Sequence, residues 1–147
     1  MGRVSKTEYY LSIAEKVAER STCLRRKYGA VIVKNDEIIA TGYNGAPRGD
    51  KNCCETGECP REKLGVPKGE RYELCVAVHA EQNAIISASR QEMLDSTIYI
   101  AGKEVNDNYA DPTPCLICRR LIKNAGIKNI VGRQKDGSIV EISSSEL

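Results

Sequence analysis

The sequence contains no tryptophan, no phenylalanine and a single histidine, His79. Its aromatic residues, 5% of the chain, are all tyrosines. Stacking on a planar ligand must therefore use a tyrosine, an aliphatic side chain or His79. For the same reason, His79 is the sole source of an imidazole ligand for a metal.

The chain also lacks an excess of charge of one sign. It has 22 Lys and Arg against 20 Asp and Glu, a net charge of +2, and no basic stripe for a nucleic acid or a membrane surface. No apolar run approaches the roughly 18 residues of a membrane span, and residues 1–6 lack the apolar centre of a signal peptide. These absences favour a small-molecule substrate and exclude membrane and nucleic-acid partners from the expectations.

Cysteine is abundant but odd in number, with seven residues in the chain. An odd count without an export signal argues against a disulfide framework and for a reducing, cytoplasmic location. Each thiol is then a core residue, a metal ligand or a nucleophile, and the spacing of the cysteines must decide between these roles.

A chain of 147 residues suits one domain, which we place at 1–147. The first predicted element is a helix, because apolar residues recur at helical spacing over 10–18 and Ser5 to Glu8 has the form of a capping box. Two β-branched runs, 29–33 and 38–41, follow and are joined through Asn35-Asp36, which predicts a hairpin.

The remaining pattern predicts a helix over 77–90, a strand at 98–101, a helix over 115–125 and strands at 127–131 and 138–142. Pro114 opens the last helix and Gly126 ends it. This order is typical of an α/β protein: a mixed five-stranded sheet with helices on both faces, in three layers α/β/α. A stretch at about 46–75, rich in Gly, Pro, Cys and charge, shows no sustained period and reads as a functional or clamped insertion.

Two short motifs carry the chemistry. His79-Ala80-Glu81 offers an imidazole and a carboxylate, and Cys115 and Cys118 offer two thiolates at the start of a predicted helix. One histidine and two cysteines are ligands that zinc prefers, and a fourth position is left for water, which is the catalytic pattern. Glu81 is then placed to move a proton beside that water.

Another class of protein stays open at this point. A non-catalytic zinc-binding or dithiol module would use Cys115 and Cys118 as a redox pair and Glu81 as a helix cap. That interpretation leaves the pairing of His79 with Glu81 unexplained. Zinc content without ammonia release from any nucleotide would favour it.

The two motifs resemble those of the zinc-dependent cytidine and deoxycytidylate deaminase superfamily. The likeness covers most of the chain and is greatest to its deoxycytidylate (dCMP) deaminases. Four further segments carry it: STCLR (21–25), GAVIV (29–33), TGYNGAP (41–47) and HAEQNAI (79–85).

The resemblance implies a cytidine deaminase-like fold and a catalytic Zn2+ held by His79, Cys115 and Cys118. It implies that Glu81 shuttles protons while an activated water attacks C4 of the cytosine ring, so that dCMP becomes dUMP with release of ammonia. This hydrolase reaction belongs to pyrimidine deoxynucleotide metabolism and supplies dTMP. Other cytosine nucleosides or nucleotides, and tRNA adenosine, are alternative substrates, although the charge balance disfavours tRNA.

Four residues are candidates for substrate binding. Asn44, in an Asn-Gly turn sequence, matches an asparagine that contacts the nucleoside in the family. Arg25 suits bidentate contact to a phosphate and Ser21 adds a hydroxyl donor. Tyr109 is a candidate for stacking on the base. A plain turn, a solvated arginine and a core tyrosine are the structural alternatives.

Four cysteines lie in or beside the insertion: Cys53, Cys54, Cys59 and Cys75. Together they could form a tetrahedral sulfur site that holds the loop, and some deoxycytidylate deaminases have a second, structural zinc in this region. Cys23 lies outside this set and is predicted to be a core residue. The resemblance further implies a homo-oligomer, with a hexamer expected, and regulation by dCTP and dTTP, with Mg2+ accompanying the nucleotide effector.

Overall fold

The computed structural model describes residues 2–67 and 69–147, so Met1 and Lys68, the latter within the 46–75 insertion, lie outside the described residues. Five strands form one sheet in the order β2-β1-β3-β4-β5. Their bounds are Arg26–Lys34 (β1), Glu37–Tyr43 (β2), Thr97–Glu104 (β3), Asn129–Arg133 (β4) and Ile139–Ser143 (β5). The β3–β4 pair is parallel and the other neighbours are antiparallel. The predicted mixed five-stranded sheet is confirmed.

Six α-helices accompany the sheet among the described residues: Lys6–Ala18 (α1), Cys53–Thr56 (α2), Pro60–Lys63 (α3), Ala80–Ile86 (α4), Arg90–Met93 (α5) and Leu116–Ala125 (α6). Short 3-10 turns lie at Tyr72–Leu74 and Ser144–Glu146. None of the helices among the described residues is long and apolar enough to cross a bilayer.

The two faces of the sheet bury different side chains, because successive residues of a strand point to opposite sides. On one face Tyr10 and Ala14 of α1 pack with Val31, Val33 and Ala101. On the other face, α4 and α6 cover a larger apolar cluster that includes Ala30, Ile32, Ile98, Ile100 and Ile122. Helices therefore cover both faces, as predicted.

The hairpin between β1 and β2 turns at Asn35 and Asp36, whose φ angles are 52° and 63°. A two-residue loop with both residues left-handed matches the twist of the flanking strands, and Asn and Asp tolerate that conformation better than most residues. The predicted turn is thus in the predicted place.

The helix predicted over 77–90 is shorter and divided. Residues 77–79 precede the helix, α4 runs from Ala80 to Ile86, and α5 begins after Ser89, whose hydroxyl accepts a hydrogen bond from the Glu92 amide at 3.1 Å. Serine side chains compete for backbone hydrogen bonds and favour helix starts, so Ser89 begins a new helix where apolar periodicity alone predicts one continuous helix.

Candidate functional site

The first half of the site lies at the start of α4. His79 is the residue that precedes the helix, with an extended backbone (φ −70°, ψ 155°), and its amide donates to Gln82 Oε1 at 2.8 Å. Glu81 lies in the first turn and is 7% exposed. Residues two apart in a regular helix point to different sides of it. His79 lies outside the regular helix, so its side chain is free of this restriction relative to Glu81.

Glycine allows α4 to lie close to the sheet. A Cβ on Gly42 would lie 2.4 Å from Ala80 O, so any other residue there would push the helix away. Asn83 Nδ2 donates to Tyr43 O at 2.8 Å and ties the helix to the end of β2. Gly42 thus admits the helix that carries Glu81.

The second half of the site lies at the start of α6. Cys115 precedes the helix, and its Sγ accepts a hydrogen bond from the Cys118 amide at 3.5 Å. Cys118 is fully buried, and Gly126, with a φ of 86°, ends the helix. The predicted helix is present and ends at Gly126 as predicted, but its first residue is Leu116, so Pro114 lies two residues before the helix and not at its first position.

The two helix starts bring the three predicted metal ligands together. His79 Nδ1 lies 3.5 Å from Cys115 Sγ and 3.4 Å from Cys118 Sγ, and the three ligand atoms all lie within 4.8 Å of one another. A tetrahedral zinc at its usual bond lengths separates a sulfur and a nitrogen ligand by about 3.5 Å. The donor types and the spacing both fit zinc.

The electrostatics of this group favour a thiolate. A hydrogen bond from the Cys118 thiol, and a weaker effect of the imidazole, lower the pKa of Cys115 to about 4, although burial opposes the shift. The shared proton and burial raise the pKa of Cys118. The hydrogen bond to Cys115 likewise raises the pKa of His79. One sulfur is therefore a thiolate at neutral pH, and metal binding has to displace the second thiol proton.

Glu81 is the buried acid beside this group. Burial raises the pKa of its carboxyl, and the side chain also interacts with Cys118. A carboxyl that holds a proton more strongly than usual is suited to accept and return one near neutral pH.

A cavity of about 230 Å³ opens beside the three ligand atoms. His79, Glu81 and Cys115 line it, together with Asn44 and Arg25 from the predicted substrate residues. Its other lining residues come from β1, the insertion and the loop before α6: Cys23, Arg26, Tyr28, Cys59, Arg61, Tyr72, Cys75, Ala77, Ala80, Asp111, Pro112 and Thr113. The volume and the mixed lining suit a small polar molecule.

Asn44 is buried at this cavity, where it also organises the start of β1. Its Oδ1 accepts from Tyr28 N and its Nδ2 donates to Arg26 O, both at 2.9 Å. The neighbouring Gly45 pairs with Val78 through two backbone hydrogen bonds, which fixes Asn44 next to the His79 segment. Nδ2 carries two hydrogens, so one donor remains for a ligand.

The other three substrate candidates differ in their placement. Arg25 Nε pairs with Glu62 Oε1 at 3.0 Å, while its Nη1 is buried without a hydrogen-bond partner among the described residues. Ser21 Oγ accepts from Cys23 N at 3.3 Å and does not line the cavity. Tyr109 lies outside the cavity too, with its ring centroid 4.4 Å from Lys103 Nζ.

Sequence reasoning missed two residues of the insertion, Tyr72 and Arg61, that line the cavity next to the metal-ligand group. The Tyr72 ring meets the His79 ring edge-on, with centroids 5.3 Å apart, and Arg61 Cζ lies 4.5 Å from the Tyr72 centroid. The one available sequence signal was the proximity of Tyr72 to His79 along the chain. Nothing in the sequence distinguishes Arg61 from the other charged residues of the insertion.

The cysteines of the insertion are not equivalent in the structure. Cys53 and Cys59 are buried, Cys75 is partly buried and Cys54 is exposed. Burial, and then the nearby thiols with Cys23 first among them, raise the pKa of Cys53. Cys23, predicted as a core residue, instead lines the cavity beside Cys59 and Cys75.

An α/β protein with a His/Cys/Cys group and an adjacent buried glutamate is a zinc-hydrolase type of structure, and comparison with known proteins narrows it further. The sequence profile of the cytidine and deoxycytidylate deaminase zinc-binding region matches residues 4–133. The chain belongs to the family of cytidine and deoxycytidylate deaminases.

Individual relatives agree with this assignment. The chain is 40% identical to the deoxycytidylate deaminase of Mycobacterium phage D29 over 89% of its own length and 96% of that protein. It is 39% identical to the deoxycytidylate deaminase of Schizosaccharomyces pombe over 88% of its length, but spans only 37% of that longer protein.

A solved relative has the same fold. The dCMP deaminase of the cyanophage S-TIM5 superposes with a TM-score of 0.64 at 30% identity, covering 92% of this chain and 89% of that one. Its structure in complex with dCMP and dUMP gives a TM-score of 0.62 at 27% identity, covering 91% and 85% of the two chains.

Proposed function

We propose that this protein is an enzyme that hydrolyses dCMP to dUMP and ammonia with a zinc ion at its centre. The observation that carries the proposal is the convergence of His79, Cys115 and Cys118 beside the buried Glu81. Family membership supports the zinc, and relatives named deoxycytidylate deaminase support the substrate. The unit that acts is one deaminase domain, residues 1–147, with its insertion at about 46–75.

His79, Cys115 and Cys118 hold the metal in this proposal. Bound zinc is a Lewis acid that lowers the pKa of water and thereby supplies the nucleophile at neutral pH. Glu81 accepts one proton of the attacking water and passes it to N3 of the cytosine; it then takes the second proton of the same oxygen, now bonded to C4, and delivers it to the departing amino group. A C–O bond replaces the C–N bond at C4, and ammonia leaves.

The substrate is held by the residues that line the same cavity. Asn44 offers its remaining amide hydrogen to the nucleoside, and Arg25 offers a buried nitrogen that has no other partner among the described residues. Because Tyr109 lies outside the cavity, we give the aromatic contact with the base to Tyr72. Ser21 does not line the cavity, and its role as a hydroxyl donor to the substrate stays a prediction.

The test is an assay of ammonia release by the zinc-loaded protein. We expect release from dCMP, weaker but measurable release from deoxycytidine and CMP, and none from a tRNA stem-loop. If the protein prefers one of these other molecules, that molecule and not dCMP is its substrate. A zinc-loaded protein that releases ammonia from none of them would overturn the proposal and favour the non-catalytic module.

We also propose a second, structural zinc, with Cys23 in place of Cys54 in the ligand set. Cys23 Sγ accepts from Arg25 N, and Cys75 Sγ accepts from Ala77 N, each at 3.4 Å. Amide donors to sulfur stabilise a thiolate, and Cys115 has the same kind of donor. Cys53 and Cys59, which are buried, would supply the other two sulfurs, whereas Cys54 is exposed. Among the described residues only His79, Cys115 and Cys118 form a group of three or more whose ligand atoms all lie within 4.8 Å of one another, so the four thiols of this second site would have to draw together around the ion.

Self-association in a homo-oligomer, with a hexamer expected, remains part of the proposal. Exposed apolar side chains at the ends of α4 and α6 support it: Ile86 is 75%, Leu116 67% and Ile117 46% exposed. Sedimentation of the purified protein decides the oligomeric state. Regulation by dCTP and dTTP with Mg2+ stays a prediction from the family resemblance.

A further inference from the structure

Arg61 is a buried arginine whose charge has no carboxylate partner among the described residues. Its residue surface is 5% exposed, and it forms no ion pair within residues 2–67 and 69–147. Its Nε donates to Glu70 O at 3.1 Å and its Nη2 donates to Pro67 O at 3.2 Å. Two carbonyls and the face of Tyr72 hold the guanidinium in place without neutralising it.

A buried charge of this kind calls for a counterion. Guanidinium remains protonated in proteins, so it cannot escape the cost of burial by losing its proton. Carbonyl dipoles satisfy two of its five N–H donors, and the guanidinium makes no other hydrogen bond among the described residues. Arg61 lines the same cavity as Glu81 and His79, so a counterion reaching it would share the proposed substrate site.

A second guanidinium reaches the cavity from a different part of the chain. Arg25, which precedes β1, has a buried Nη1 without a hydrogen-bond partner in the described structure. Its ion-pair partner Glu62 is 58% exposed, so that pair neutralises little of its charge. A third arginine at the cavity, Arg26, is already paired with Glu104 at 3.0 Å. Two arginines therefore have donors to spare.

We propose that Arg61, together with Arg25, binds the 5′-phosphate of the substrate, and that Arg61 is the residue that makes the enzyme select nucleotides over nucleosides. The inference rests on the proposed deaminase function. A phosphate dianion matches the planar fork of a guanidinium and compensates two arginines that lack sufficient counter-charge. Tyr72 lies between Arg61 and His79, so the phosphate end and the reacting end of the site are joined by one aromatic ring.

The experiment compares Arg61→Met and Arg61→Lys with the wild type on dCMP and on deoxycytidine. We expect kcat/KM for dCMP to fall about 10- to 100-fold in Arg61→Met, mainly through KM, because a hydrogen bond to a charged group is lost. Reaction with deoxycytidine, which has no phosphate, should stay within about twofold. Arg61→Lys should recover part of the dCMP activity.

The matched control is Lys63→Met. Lys63 belongs to the same short helix and its side chain is 68% exposed, so its loss should leave both substrates unaffected. Zinc content shows whether each variant keeps its metal site. Equal losses on dCMP and deoxycytidine in Arg61→Met would mean that Arg61 only orders the insertion, and would overturn the phosphate assignment.

A binding measurement separates this inference from the proposed function. Calorimetry with dUMP and deoxyuridine requires no turnover. We expect the wild type to bind dUMP more tightly than deoxyuridine, and Arg61→Met to lose most of the difference. If the wild type proves inactive on dCMP, the proposed function fails and this comparison still decides the phosphate site. Equal affinity of the wild type for dUMP and deoxyuridine would overturn the role of Arg61.

Discussion

The chemistry of individual residues in this protein depends on two helix starts. His79 and Cys115 each stand one residue before a helix, where the backbone is extended and the side chain can turn toward a neighbour. The positive end of α6 and the amide of Cys118 both favour a thiolate on Cys115. A hydrogen bond from the Cys118 thiol, helped by the imidazole of His79, lowers the pKa of Cys115 to about 4, and the short motifs that supply these groups are visible in the sequence.

Residues that reach the cavity from distant parts of the sequence could not be predicted in this way. Arg61, Tyr72 and Cys23 reach the cavity because the insertion folds back over the start of β1, as in the hydrogen bond from Cys54 N to Thr22 O at 3.2 Å. Such contacts depend on tertiary packing and leave no periodic signal. Asn44 was visible in the sequence, but its hydrogen bonds to the backbone of β1 were not.

Substitution of Glu81 tests the residue-scale proposal. In Glu81→Gln we expect ammonia release from dCMP to fall by about 10²- to 10⁴-fold, because the amide cannot accept and return a proton. Zinc content should remain that of the wild type, since Glu81 is not among the grouped ligand atoms. Both quantities are measured on the same purified sample.

Glu141→Gln is the control. Glu141 is an exposed carboxylate on β5, which is the edge strand opposite β2 in the sheet. It should retain wild-type activity. A Glu81→Gln enzyme that holds zinc and deaminates dCMP at the wild-type rate would show that another group moves the proton.

At the scale of secondary-structure elements, local sequence signals predicted whether a segment is a helix or a strand better than they predicted where that element begins and ends. The end of α6 was predicted from Gly126, which acts through its own backbone angle, whereas Pro114 lies two residues before Leu116, the first residue of the helix. The division between α4 and α5 was missed, since apolar spacing continues across Ser89 while its side chain starts a new helix. The strand predicted at 98–101 extends to Glu104 because β1 pairs with it over its full length.

Two ion pairs of Arg133, with Glu8 and with Glu15, link β4 to α1, two elements that are distant in sequence. Arg133, at the end of β4, has a side chain that is 9% exposed and donates through Nη1 to Glu8 of α1 at 2.9 Å. The hydrogen bond from Arg133 lowers the pKa of Glu8 below its ordinary value of 4.5. A carboxylate whose pKa is lowered by folding adds stability above pH 4.5, and that stability is lost as the pH falls through the folded-state pKa.

Glu8→Gln should therefore destabilise the protein in a pH-dependent way. At pH 7 we expect a loss of about 0.5–1 kcal/mol in the free energy of unfolding, the upper range for a partly exposed pair. The difference from the wild type should shrink as the pH falls below about 4.5, because the wild-type carboxyl then becomes neutral as well. Urea unfolding at several pH values measures it.

The control is Glu19→Gln, which removes an exposed pair with Lys16, 65% and 81% exposed respectively, at the end of the same helix. It should change the unfolding free energy little at any pH. A Glu8→Gln penalty that is the same at pH 7 and at pH 3.5 would assign its effect to packing.

At the scale of the whole molecule, the insertion at 46–75 depends on the rest of the protein for its shape. Its helices α2 and α3 have four residues each, too short to be stable alone. It contributes Cys59, Arg61, Tyr72 and Cys75 to the cavity. The sequence predicted that something clamps this segment, and the structure brings Cys23, from outside it, to the same cavity.

The proposed second zinc, which would hold the insertion in shape, can be tested by measuring the zinc content of the protein. We expect two zinc ions per chain in the wild type, one in Cys59→Ser and one in Cys23→Ser, because each substitution removes one of four thiolates from a closed tetrahedral site. Cys54→Ser is the matched control and should keep two, since its thiol is exposed. When free zinc stands at 1,000 times its Kd, losing the site costs about 4 kcal/mol of stability.

Loss of the second zinc should also affect the substrate site, because Arg61 lies in the chain between Cys59 and Cys75. In Cys59→Ser, limited proteolysis should cut within 46–75 faster than in the wild type, and discrimination between dCMP and deoxycytidine should weaken because Arg61 is no longer held in place. A wild-type protein with one zinc per chain and a full catalytic site would refute the second metal. Two zincs in Cys23→Ser together with one in Cys54→Ser would instead restore the ligand set first predicted from the sequence.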